Sequence, residues 1–317
     1  MLRALTILTL LAGFGWSAYW FAGRTALTRG VAAAAEAARR EGWAVDWRAL
    51  SVAGFPNRFD TEIRGLGVRS ADGAWGLDAP GLEVMALSYR PNEVIAVAVP
   101  PLTLATPAGP FDLGADDLRA SAAFTVGTPP EPVRATVVAE ALTVQGADLV
   151  ATVAAGLAAM REAAGDRAYD VALTLSDVAL RQAAPWLPET LDAVALDATA
   201  VLDAPLSEGP VLAQLTLRRA EVVWDDAALQ LSGDLVVGPG GTPEGTLRVS
   251  ARNWEALLPL LSRAGMPEAQ VALLAAGLAE VASEGSAEVP LTLSGGALRF
   301  GAIPIAPLPV LPVPYSP

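Results

Sequence analysis

The chain has 317 residues, 53% of them hydrophobic, and a formal net charge of −13; it contains no histidine and no cysteine, and its 21 basic residues are all arginine. The acidic balance argues against a surface that works by neutralising phosphates, so no nucleic-acid partner is expected. The missing residue types exclude disulfides, thiolate nucleophiles, cysteine-type zinc sites and serine–histidine hydrolysis.

Residues 4–23 form an apolar run without a charge. A hydrocarbon core of about 30 Å needs roughly 20 helical residues to cross it, and Leu5, Ile7, Leu8, Leu10, Leu11 and Phe14 supply lipid-facing bulk. Trp16, Tyr19, Trp20 and Phe21 read as an interfacial belt. A cleaved secretory signal competes with this reading, but ending it at Ala18 or Ala22 puts Trp16 or Trp20 where a peptidase needs a small side chain. The expectation is therefore an uncleaved transmembrane signal anchor over residues 1–23. Arg24, Arg29, Arg39 and Arg40 beyond the run favour the opposite topology on charge alone. A leading apolar segment after a very short basic start nevertheless resembles an export signal. The localisation expected is thus the inner membrane, single-pass, with the body facing the periplasm. Residues 24–42 are alanine-rich and predict a juxtamembrane helix, with Arg39 and Arg40 in its last turn and Gly42 as its stop, serving as a rigid stalk.

From Trp43 the period becomes two. Leu82, Val84 and Ala86 alternate with Glu83, Met85 and Leu87; Arg90-Pro91-Asn92-Glu93 predicts a turn, and residues 94–99 run back as a strand. Residues 133–144, 169–180 and 194–202 fit the same template. Between them, 147–164 suits a helix, although Val150, Thr152 and Val153 also suit a strand. Leu229, Leu231, Leu235 and Val237 share one face, with Gln230, Ser232 and Asp234 on the other; a turn over 238–245 leads to Leu247, Val249 and Ala251 in the same two-faced design. Residues 43–302 are accordingly predicted to be a β-rich periplasmic body with two similar halves near 43–145 and 166–302. The fold class is mainly β (α+β): an antiparallel curved sheet or open barrel with an apolar groove.

Asn253 is a candidate cap for a helix from Trp254 to Arg263 that Pro259 should kink; Gly265 stops it, and Pro267 starts a second helix to about residue 283. This apolar C-terminal pair either covers a sheet edge or barrel end, or acts as a lid on a groove. Residues 303–317 form a proline-rich tail, expected to be extended and barred from a central strand.

The acidic pairs Asp116-Asp117 and Asp225-Asp226 read as solvated turns, since consecutive strand residues point to opposite faces. Gly238-Pro239-Gly240-Gly241 lacks the lysine of a phosphate cradle and reads as a hairpin turn. The string Gly54-Phe55-Pro56-Asn57-Arg58-Phe59 predicts a tight corner that sets Phe55 and Phe59 against the core. It leaves Arg58 to pair, stack or receive a ligand headgroup, and Arg58 is the one candidate ligand-binding residue. No catalytic, cofactor or metal residue stands out, and no enzyme activity is expected.

The N-terminal anchor, the 54–59 string followed by Asp60-Thr61, the Ser88-Tyr89-Arg90-Pro91-Asn92 segment and the closing Leu298-Arg299-Phe300-Gly301-Ala302-Ile303-Pro304 together resemble the bacterial family called domain of unknown function 2125. That likeness spans nearly the whole chain and implies no activity. More loosely, Gly245-Thr246-Leu247, Asn253, the apolar helix pair, residues 291–293 and the 295–304 ending are similar to the C-terminal region of AsmA-type envelope proteins. This second resemblance implies an inner-membrane anchor and periplasmic sheets around an apolar groove, with roles in lipid traffic or outer-membrane homeostasis, although the chain is short for the bridge-forming members. The function expected is a membrane-anchored, non-enzymatic lipid-binding or envelope-assembly factor, with the membrane and a lipid in the groove as partners. The alternative is a structural or scaffolding protein that binds a partner through a sheet edge or the proline-rich tail. A hydrolase using only carboxylates would need two convergent acids with shifted pKa values.

Overall fold

Antiparallel strands account for most of the chain in the computed structural model, which describes residues 2–127, 130–182, 187–238, 240–283, 285–301 and 303–311. They fall into two compact units: one runs up to Val126 and takes in Thr143–Ala147, and the other holds Gly127–Leu142 and the chain from Asp148 on.

The first unit opens with α1 (Leu2–Arg40), a single helix of 39 residues where a span and a separate stalk were expected. Nothing inside it breaks the hydrogen-bond ladder, because its glycines lower helix propensity without removing a donor. It ends as predicted at Gly42, whose φ of 93° is left-handed; the Trp43 amide donates to the Ala38 carbonyl and the Gly42 amide to that of Arg39, the paired hydrogen bonds of a Schellman stop. Trp20, Gly23, Leu27, Val31, Ala35 and Ala38 recur every three or four residues and are buried or half-buried, while residues 2–15 are all exposed. The helix beyond Gly15 is therefore packed on its own protein and does not stand away from it.

What α1 packs on is a meander. β1 (Ala44–Asp46) and β2 (Ala49–Ala53) pair with opposite ends of β3 (Arg58–Arg69), which pairs along its length with β4 (Gly76–Leu87). Beside β4 lie β5 (Arg90–Val99) and β6 (Leu102–Thr106), separated at Pro100-Pro101, two residues with no amide to give a ladder. β7 (Gly109–Gly114) and β8 (Asp117–Phe124) pair with β6 and β5, and the last residues of β9 (Pro132–Gln145) pair with β7. The β4–β5 turn is Ser88-Tyr89, not the expected Arg90-to-Glu93. Register moves from Leu87↔Arg90 to Ala86↔Val94, so Pro91, Asn92 and Glu93 form a bulge where the missing proline donor costs no bond. The Asn92 side chain ties this bulge to the Phe124 carbonyl at 3.1 Å.

The second unit is a longer meander in which each strand pairs with the next. β9 pairs with β10 (Val150–Glu162), and then follow β11 (Ala168–Gln182), β12 (Thr190–Leu202), β13 (Leu212–Trp224), β14 (Ala227–Val237), β15 (Pro243–Arg252), β16 (Ser286–Ser294), β17 (Ala297–Phe300) and β18 (Ile303–Pro307). Among the described residues β9 and β18 share no register, so the sheet is open. The ambiguous 147–164 segment is thus strand β10. Ala198, Leu217, Leu247 and Leu293 form the buried core of one face, flanked by half-buried Val171, Leu215, Leu235, Leu291 and Leu298. The other face carries polar residues in strict register: Arg161 opposite Asp170, Asp170 opposite Thr199, Thr199 opposite Thr216, Thr216 opposite Asp234, and on through Thr246 and Thr292 to Arg299.

After β15 a short 3-10 turn (Trp254–Leu257) runs into α2 (Leu258–Arg263), and α3 (Glu268–Val281) follows. Asn253 does not cap: its φ of 48° is left-handed, a conformation asparagine tolerates, and its side chain makes no capping bond. Pro259 lies in the first turn of α2, where the absent donor is harmless, so it starts that helix and does not kink it. Trp254 is buried with Ala251 and Ala287, and Leu257, Leu258, Ala275 and Leu278 pack around them. The helix pair therefore covers one end of β15 and β16. The start of the expected tail joins the sheet as β18, where Pro304 and Pro307 sit in its last strand; residues 312–317 lie outside the described part.

Candidate functional site

Two places in the molecule gather polar or aromatic side chains that sequence alone scatters. The first is the corner between β2 and β3, within the first unit. The Arg58 amide closes the turn on the Gly54 carbonyl at 2.9 Å, and the Ser88 amide donates to the Asn57 carbonyl at 2.9 Å, which ties the corner to the β4–β5 hairpin. The aromatics of α1 cap the carbonyls that remain: Trp16 Nε1 donates to Pro56 (2.9 Å), Trp20 Nε1 to Arg58 (2.7 Å) and Tyr19 Oη to Ser88 (2.5 Å). Phe59 is buried and stacks on Trp20 at 5.9 Å between centroids, as the sequence predicts, but Phe55 is 51% exposed, with one edge against Trp20 and its face on Phe21. Gly23 permits this approach: a Cβ there would lie 2.6 Å from the Phe59 ring. The belt residues are thus fastened to the protein. Trp20, only 3% exposed, is core.

Arg58 lies on the outside of this corner and gives Nη2 to Asp60 at 2.7 Å. It is largely solvated, and the pair leaves Asp60 Oδ1 buried without a hydrogen bond. The remaining sequence candidates lie in turns, except that Asp117 opens strand β8 and is half-buried, where a solvated turn was expected. Asp116 is exposed, Asp117 pairs with Arg119 at 2.6 Å, and Asp225 and Asp226 are exposed in the β13–β14 turn. Of the Gly238-to-Gly241 string, Pro239 lies outside the described residues; the Gly238 amide donates to the Thr242 carbonyl at 3.0 Å, as a hairpin turn requires.

The second place was not singled out from sequence. On the polar face of the second unit, Arg134, Arg161, Asp170, Asp197 and Arg218 line a shallow depression of about 320 Å³. Arg161 reaches Asp170 at 3.1 Å, the Thr199 hydroxyl donates to the same carboxylate at 2.7 Å, and Arg218 bridges Asp170 (3.2 Å) and Asp197. The Thr199 and Arg161 hydrogen bonds hold the Asp170 carboxyl below the usual range against a small desolvation. Asp197 is lowered chiefly by its hydrogen bond from Arg218, and Arg218 is raised in return. Both acids are held ionised, whereas an acid–base pair would need one of them raised. Each carboxylate is separated from its partners by a strand crossing, so the only sequence signal was the Thr/Asp/Arg alternation on one face of β10–β13. Among the described residues no group of three or more carboxylates is arranged to hold a metal.

Residues 20–309 match the family described as "Uncharacterized protein conserved in bacteria (DUF2125)", and the chain belongs to that family. No curated protein and no solved structure matches it.

Proposed function

We propose that this DUF2125 member is a single-pass, non-enzymatic envelope protein that binds lipid acyl chains on the apolar face of its second unit, with its body in the periplasm. One observation carries the reading: the amphipathic meander β10–β17, polar in register on one side, leaves Val171, Leu215, Leu235, Leu291 and Leu298 only half-buried on the other. At about 25 cal/mol per Å², an acyl chain that covered about 200 Å² of that face would contribute roughly 5 kcal/mol. α1 supports the anchor, since it is the one described helix long and apolar enough to cross a membrane. Asp170 and Asp197, which converge on Arg218, are both shifted down and not in opposite directions, which supports a binding role for that face over catalysis.

The test is native mass spectrometry with lipid extraction on the full chain in mild detergent. Stoichiometric phospholipid that is lost in a Leu235→Asp variant is the expected result, and a folded, lipid-free protein would overturn the reading. A scaffolding role is favoured by a separate feature, Leu273 on α3, which is 69% exposed on a helix with few charges. Lipid-free protein that cross-links to a partner through α3 would establish that alternative.

A further inference from the structure

The geometry points to a second membrane contact in the first unit: we propose that the 54–59 corner and the Ser88-Tyr89 hairpin dip into the lipid leaflet on the body's side of the membrane that α1 crosses. This rests on the reading of α1 as a span. The helix makes its first contact with the body at Trp16, and the exposed stretch before it, Leu2 to Gly15, is roughly 14 residues or about 21 Å long at 1.5 Å per residue. A hydrocarbon core of about 30 Å needs more. The helix cannot slide further in at its other end, because the charge of Arg3 stops it. The missing length must come from the segment that carries Trp16, Tyr19, Trp20 and Phe21, and the corner is fastened to that segment.

The corner is chemically fitted to that depth. Backbone groups leaving water must be satisfied within the protein. The carbonyls of Gly54, Pro56, Asn57, Arg58 and Ser88 all accept hydrogen bonds, three of them from the indole and phenol groups of α1. Besides the polar Asn57, what projects outward is apolar or amphipathic: Phe55 at 51% exposure, Pro56, Leu87 and Tyr89 at 59%. Arg58 and Arg90 are also exposed there, and their long stems suit the headgroup level.

Because the chain has no cysteine, a single introduced one takes a spin label uniquely. The full chain would carry the label at Phe55→Cys, Tyr89→Cys, Leu10→Cys or Ala108→Cys and be reconstituted in phosphatidylethanolamine–phosphatidylglycerol vesicles. Power saturation would compare collisions with oxygen, which enters lipid, against those with a water-soluble nickel chelate. Ala108 is the aqueous reference: it is exposed in the β6–β7 turn beside the Gly76 end of β4, about 36 Å along that strand from the Ser88-Tyr89 turn. The expected result is an oxygen-to-nickel ratio at Phe55 and Tyr89 severalfold above that at Ala108 and approaching that at Leu10. Labels at Phe55 and Tyr89 that behave like Ala108, with Leu10 in lipid, would overturn the docking and leave the anchor standing. A water-exposed Leu10 label would overturn both. Should the Phe55 label abolish the thermal transition, Asn57→Cys, exposed in the same turn, gives the same readout.

Discussion

Trp20 joins helix and sheet by both packing and a hydrogen bond. Its ring fills the space between Val52, Phe59 and Leu27, and its indole N–H satisfies the Arg58 carbonyl. Trp20→Ala should lower unfolding stability by about 3–5 kcal/mol in detergent denaturation. Arg58→Ala, at a solvated ion pair, should cost no more than about 1 kcal/mol in the same assay. The sequence put weight on Arg58 and gave Trp20 to the lipid, because an indole suits a membrane interface and a backbone carbonyl equally well. Asp197 is tested by pH. Its folded pKa lies below the ordinary value of about 3.9, so the native state binds fewer protons and the pair's stabilisation is complete above that value and lost as pH falls below it through the lower folded pKa. The melting-temperature gap between the protein and Arg218→Leu should therefore narrow as pH is taken from about 6 to below about 4.

At the level of elements, α1 offers a matched pair of glycines. Gly30 has nothing within 4 Å of where a Cβ would stand, so Gly30→Ala should stabilise by about 0.5–1 kcal/mol through helix propensity alone. At Gly23 the same gain competes with a Cβ 2.6 Å from the Phe59 ring, an overlap whose usual cost of about 1–3 kcal/mol should win. Opposite signs for the two variants in thermal unfolding would confirm the packing of α1 on β3, and equal signs would contradict it. Strand β10 shows why some elements resist reading. Its alanines favour a helix and its valines a strand, and the choice is made by pairing with β9 and β11, which a local window does not contain. The Ser88-Tyr89 turn was misplaced for a related reason: Pro91 is a turn signal by itself, but a bulge satisfies its missing donor equally well.

For the molecule as a whole, the N-terminal helix that is long and apolar enough to cross a membrane is also a structural member of the first unit. Deleting residues 1–42 would uncover Val52 and Phe59, both buried, and remove the donors to three backbone carbonyls. The truncated chain should bind a hydrophobic dye and melt at a lower temperature than the full chain in the same detergent; unchanged melting would refute the structural role of α1. The sequence by itself determined the two-residue period of the strands, a helix long enough to span, the Gly42 stop and the chemistry closed off without histidine or cysteine. All of these depend on neighbours a few positions apart or on composition. Only the tertiary structure decided which face of α1 meets the sheet, that Trp20 is core, and that Arg161, Asp170, Asp197 and Arg218 form one network. Those contacts join residues as far apart as Trp20 and Arg58, or Asp170 and Arg218, and the register that aligns them is the sum of every turn and bulge in between.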